Sequence, residues 1–408
     1  MHRSLRSPGG VSAGVAALVA VVLATSVACG GSDGAAKAPL TAGPSDVAAT
    51  SAPPTTSASP TTPIPSTSTP FVETPGPPGL SRITTISGHI SPKSVVASGD
   101  GFVFAQNMIY THTVTVYDRS FNLVKTIPDG VDLAAFGVPG HPGVSQGGPV
   151  EAAFTPDKKY VYVSNYSMYG NGFPREGHDT CSPSSGYDAS TVYRIDVATL
   201  RIDQVIPVGV VPKFLEVTPD GRQLLVSNWC SYAVSVIDTA SGTQTHRISV
   251  GAYPRGIAIS PDSKIGYVAV MGGAAIAKID LDTYQMSLIR NVGNGPRHLI
   301  IDPTGHYLYI TLNGAGTVAK MDLTTQTIVA RKATGQDPRS MAMSADGAYL
   351  YVVNYFSSTM TKLRSSDFEI VQTVKTNEHP IGITVDEGTG RVWVADYGGT
   401  IEVFADRK

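Results

Sequence analysis

Lys213, Arg255, Arg297 and Arg339 recur at intervals of 42 residues, each directly after a proline, and Lys93 follows Pro92 in the same way. Ammonium and guanidinium groups gathered in one place attract carboxylates and phosphates, and guanidinium grips them through paired hydrogen bonds. His298 comes next to Arg297. A second set recurs between these positions: Asn165, Asn228, Asn354 and Asp396, each followed by a ring, Tyr166, Trp229, Tyr355 and Tyr397. Amides orient polar groups, and rings offer flat faces for stacking. These fourteen residues are the candidate ligand-binding set. They also have a structural reading, in which the cations bond carbonyls of a neighbouring repeat, the amides satisfy their own loops, and the rings wedge between repeats.

Catalytic patterns are weaker. The stretch "GVSQG" from Gly143 to Gly147 matches G-x-S-x-G, but a nucleophile elbow needs a strand-to-helix turn, and this one lies in a loop rich in Gly and Pro. The nine histidines show neither H-x-H nor H-E-x-x-H spacing, and there is no C-x-x-C-H. No metal or cofactor is therefore expected. A hydrolytic alternative would need a general base near the cations, for which Asp396, Glu151, Glu216 and His298 are the candidates.

What must position these residues is a repeat. "PKFLEVTPDGRQLLVSN" at Pro212 returns as "PRGIAISPDSKIGYVAV" at Pro254, "PRHLIIDPTGHYLYITL" at Pro296, "PRSMAMSADGAYLYVVN" at Pro338 and, shortened, at Pro380. Two further starts, Pro92 and Pro149, carry extra residues before the next one, which makes seven. Each copy divides into four short strands with turns about ten residues apart, the pattern of a β-propeller blade. The seventh copy ends after its third strand, "TIEVF", and "RITTISGHISP" near the start of the domain resembles the missing fourth. The expected fold is all-β: a seven-bladed propeller of four antiparallel strands per blade, closed by that N-terminal strand. In this fold the first strand starts, and the second ends, at one face of the ring. Both sets of candidate residues then meet at that channel mouth. Both insertions reach the same face, the first within 129–148 and the second within 168–190.

The segments "YVSN" (Tyr162 to Asn165), "LVSN" (Leu225 to Asn228), "YVVN" (Tyr351 to Asn354) and "WVAD" (Trp393 to Asp396) resemble the signature of the YVTN-repeat, YncE-like propellers. The resemblance covers Ser81 to the C-terminus and implies the propeller fold. It does not select a function, because one propeller hosts many. The expected function is a binding module whose channel mouth takes an unknown small anionic ligand or a cell-envelope partner. The alternative is an enzyme resembling lactonase or cycloisomerase propellers, acting on an anionic sugar or lactone.

Residues 1–28 read as a signal peptide, with Arg3 and Arg6 ahead of the apolar run "VSAGVAALVAVVLATSVA". The following Cys29 sits in "SVAC", which resembles a bacterial lipobox; an uncleaved anchor is the alternative. Residues 29–79 are rich in Pro, Ser, Thr and Ala and read as a disordered tether, with the propeller over 80–408. This predicts an exported protein held by lipid at the outer face of the cytoplasmic membrane. Net charge is only −2, so no nucleic-acid partner is expected. Cys181 and Cys230 remain after Cys29, and an even pair in an exported chain predicts a disulfide.

Overall fold

The computed structural model describes Gly76 and residues 78–407; the expected leader, the lipidated Cys29 and the tether lie outside these, apart from its last few residues. Seven four-stranded antiparallel sheets form the propeller expected from the repeat. In blades one to six the strands run outward in chain order from an innermost strand that opens on the repeat's proline. Blade three is representative: Pro212–Val217, Gln223–Asn228, Ala233–Asp238 and Thr243–Ser249.

Burial follows position within the blade. The two middle strands of blade three are buried along nearly their whole length, whereas its outer strand faces solvent. Apolar side chains from adjacent blades fill the spaces between sheets. Leu225, Val234 and Val236 of blade three pack with Ile257, Val268 and Ile279 of blade four. Burial of this kind, at about 25 cal/mol per Å², is the main attraction holding one blade to the next.

The "TPDG" turns explain themselves locally. Thr218 Oγ1 donates to Asp220 Oδ1 (2.6 Å) and accepts from the amide of Gln223 (3.0 Å), while Gly221 takes the positive φ of 76° that the turn requires.

Blade seven is the seam. Pro380–Asp386, Arg391–Asp396 and Thr400–Arg407 come from the C-terminus, and Gly79–Ser87 completes the sheet from the other end of the propeller sequence. Its register runs from Gly79 opposite Arg407 to Ser87 opposite Thr400, and Arg82 forms an ion pair with Glu402 across it. The added strand covers the outer edge that Thr400–Arg407 would otherwise expose.

Both insertions take the places the sequence assigns them. The first forms a short ribbon, Val131–Asp132 with Val144–Ser145, and a 3-10 turn at Leu133–Phe136. The second joins it through a bridge between Gln146 and Tyr169, and is fastened to blade three by a disulfide between Cys181 and Cys230 (Cα–Cα 5.4 Å).

Candidate functional site at the channel mouth

Two backbone devices repeat around the mouth. Pairing of the first two strands slips just after the proline in all seven blades, for example between Pro212 and Phe214 and between Pro338 and Ser340. Such a bulge re-aims the residue it releases. Here it turns the residue after the proline toward the axis, although strict alternation would let only every second side chain reach the channel.

The second device lies just before the proline, where Val211, Tyr253, Asp337 and His379 hold φ between 54° and 60°. The left-handed turn aims the carbonyl of that residue at the amide following the second strand: Trp229 N bonds Val211 O (2.9 Å), Tyr355 N bonds Asp337 O (3.0 Å) and Tyr397 N bonds His379 O (2.9 Å). Trp229 and Tyr355 are thereby fixed beside the cations of their own blades, Lys213 and Arg339, whereas Tyr397 stands in a blade that carries Ile381 at that place.

The result is a cavity of about 250 Å³ whose wall includes Lys93, Lys213, Arg255, Arg297, Arg339, Tyr166, Trp229, Tyr355 and Tyr397. All nine are candidates from the sequence. Met108, Asp179 and Ile381 complete the wall. Met108 and Ile381 could have been found by aligning the degenerate first and seventh copies. Asp179 lies in the non-repeating insertion, and its only sequence signal is its nearness to Cys181.

The electrostatics are dominated by crowded positive charge. Lys213 Nζ donates to Asp179 Oδ1 (2.5 Å) and lies 4.3 Å from the ring centre of Tyr166 and 5.5 Å from that of Trp229. Burial, with Arg255 nearby, still lowers its pKa to about 7. Asp179 also accepts from Tyr166 Oη (3.0 Å); against the upward push of burial, Lys213 and these hydrogen bonds hold its carboxyl at about 2. Arg339 pairs with Asp337 (2.7 Å) and stacks 3.6 Å from the ring centre of Tyr355. Arg255 reaches Glu151 only at 3.9 Å, and Arg297 donates to the backbone carbonyl of Arg339 (3.2 Å). Lys93 Nζ is buried with no hydrogen-bond partner among the described residues. Burial and then Arg255 push its pKa well below the usual lysine value. Five basic side chains thus face three carboxylates, Asp179, Glu151 and Asp337.

The structure does not bring every candidate to the mouth. Asn165, Asn228, Asn354 and Asp396 are fully buried inside their blades and line no part of this cavity. Asn228 is typical: Nδ2 donates to Ser235 Oγ (3.0 Å) and Val226 O (3.2 Å), and Oδ1 accepts from Gly209 N (3.0 Å). A Cβ on Gly209 would stand 2.7 Å from Asn228 Cγ, and one on Gly335 the same distance from Asn354 Cγ, so the amide fills the space a glycine leaves. For these four positions the structural reading of the sequence is the one realised. His298 also leaves the mouth. It lines a separate chamber below the cations, edge-on to Phe214 with ring centres 5.3 Å apart, where burial and Arg255 lower its pKa to about 3.

Comparison with known proteins gives partial matches. The family described as the cytochrome D1 heme domain matches residues 268–395, from blade four into blade seven. Antigen Lp49 of Leptospira interrogans serogroup Icterohaemorrhagiae serovar copenhageni (strain Fiocruz L1-130) is 28% identical over 167 residues, which are 41% of this chain and 29% of that protein. The matched stretch thus spans under a third of the antigen. Hydrazine synthase of Kuenenia stuttgartiensis superposes with a TM-score of 0.62 at 19% identity, over 79% of this chain and 98% of the other, a likeness of fold.

A haem, the group named in the first match, is larger than the mouth accommodates. The cavity, about 250 Å³, falls below the range of roughly 300–1,000 Å³ usual even for drug-sized ligands. No histidine lines it; His379 stacks on Tyr355 (4.5 Å) without reaching the cavity, and His298 lies in the chamber below. The residues at the mouth do not fit a macrocycle. Their chemistry suits a smaller guest, with anionic groups for the cations and a flat body for the rings.

Proposed function

We propose that the protein is an exported, YncE-like propeller that binds a small anionic ligand at its channel mouth without transforming it. The observation that carries this reading is the excess of basic side chains, four of the five buried, over carboxylates around one open-mouthed cavity lined by rings. Like charges held this close are costly without a counter-ion, and an anionic guest supplies one. Asp179 already pairs with Lys213, so the guest's anionic group completes or replaces that contact.

Hydrolysis finds less support. A general base works best with a pKa near the working pH. Asp179, the carboxylate in the mouth wall, is held at about 2 and bound to Lys213. Asp396 is enclosed in its blade, while Glu216 and His298 line the lower chamber. Glu151 also lines that chamber and faces Arg255.

The proposed location is the outer face of the cytoplasmic membrane, with lipid on Cys29 as the only membrane attachment. The Cys181–Cys230 bond supports an oxidising compartment. Replacing Cys29 by Ser should release the protein into the medium; unchanged retention would point to an uncleaved helix instead. A thermal-shift screen of carboxylates, sulfonates and phosphate esters, with native mass spectrometry of freshly isolated protein, tests the ligand class. Stabilisation by anions carrying a flat group supports the reading. No shift with any anion contradicts it.

A further inference from the structure

Below the cation layer the channel opens into a chamber of about 440 Å³, lined down to the turns of the opposite face, where Lys158 and Glu387 stand. Its wall mixes polar groups with apolar side chains, Ile257, Leu299, Met341 and Ile383 among them. Two polar groups within it lack partners. The Glu216 carboxyl makes no hydrogen bond or ion pair with the described residues, and His298 Nδ1 is buried without one. Phe214 stands two residues before Glu216 on the same strand and also lines the chamber.

An unpartnered carboxyl, an aromatic ring and neighbouring apolar side chains together describe a receptor for an organic cation, in which the ring quadrupole and the carboxylate share the charge. We propose that this chamber is a second ligand site, for a compact alkylammonium ion reached from the face opposite the mouth, with Glu216 as counter-ion and Phe214 as ring wall. It is independent of anion binding above.

The surrounding charges fix the depth of the guest. Arg255, Arg297 and Lys93 lie above and would repel a cation, with Glu151 between them and the chamber. His298 is neutral, and Lys158 and Glu387 at the opening oppose one another in sign. The favourable seat is therefore beside Glu216, in the lower part of the channel. In the free chamber, burial raises the pKa of Glu216 to about 8, with Lys158 opposing weakly. A cation favours the ionised form, so binding near neutral pH expels one proton. Apparent affinity should then rise by up to about tenfold per pH unit as pH increases toward 8, and level off above it.

Isothermal titration with choline and its neutral isostere 3,3-dimethyl-1-butanol, from pH 6 to 9, tests this on the unmodified protein. The proposal expects choline to bind with the stated pH dependence, the isostere to bind at least about tenfold more weakly at pH 8, and Glu216→Gln to lose choline while keeping the parent's anion response. Absence of choline binding at millimolar concentration would overturn it. So would equal binding of the isostere, or an unchanged affinity in Glu216→Gln. Because the isostere comparison needs no variant, the test stands even if the substitution unsettles the fold.

Discussion

Asp396 occupies in blade seven the place that Asn165, Asn228 and Asn354 occupy in blades two, three and six. Its Oδ2 accepts from Thr400 Oγ1 (3.0 Å), and its carboxyl lies against that of Glu402. Burial and then Glu402 raise its pKa to about 8. A carboxyl raised in this way supports the fold fully below its unfolded value near 4, and that support is lost as pH climbs through 8. Asp396→Asn should therefore raise the melting temperature at pH 8.5, by the equivalent of about 1–2 kcal/mol, and change it little at pH 5. Melting curves of both proteins at the two pH values check this. Lys213 gives a second residue-scale prediction. With its pKa near 7, the amine is neutral above that pH, and an anion that needs the ammonium must bind together with a proton. Affinity for benzenesulfonate, which stays ionised throughout, should be flat below pH 6.5 and fall by up to about tenfold per unit above 7.5. The heat of binding near pH 7.5 should depend on the ionisation enthalpy of the buffer.

The strand is the scale at which the sequence was most and least informative. The repeated phrase locates every inner strand at its proline, because turn residues and alternating apolar residues are set by local sterics. The bulge after that proline leaves no mark of its own: the residue released is cationic in five blades but Val150 and Ile381 in the other two. The amides were legible as a repeated signal and ambiguous in role, since Asn serves equally as a ligand contact or as a filler against a glycine. Only the register, with Asn228 opposite Pro212, decides between them. The second insertion, lacking any repeat, hid Asp179. This loop is held by the Cys181–Cys230 bond and by hydrogen bonds such as Trp229 Nε1 to Asp179 O (2.9 Å). Replacing both cysteines by Ser should cost about 2–4 kcal/mol in denaturant unfolding, and should loosen Asp179 from Lys213. Quenching of Trp229 fluorescence by iodide should increase accordingly; an unchanged midpoint would mean that the loop stays docked without the bond.

At the scale of the whole molecule, sevenfold repetition turns one locally encoded feature into a collective one. A single lysine or arginine after a proline is unremarkable, but closure of the ring by Gly79–Ser87 brings five of them around one axis. The blades are held by sheet pairing and by the apolar layers between them, which on this account keep the ring shut largely without the charges. That separation is the basis of the central claim. The most direct test is titration of benzenesulfonate at pH 6.5 into the parent protein and into the Arg255→Gln, Arg297→Gln, Arg339→Gln triple variant, with melting curves of both. Cationic recognition predicts binding to the parent, a loss of more than about a hundredfold in the variant, and melting temperatures within a few degrees of each other. A variant that melts far lower, together with a parent that neither binds nor is stabilised by any anion, would show the arginines to be structural and would contradict the account.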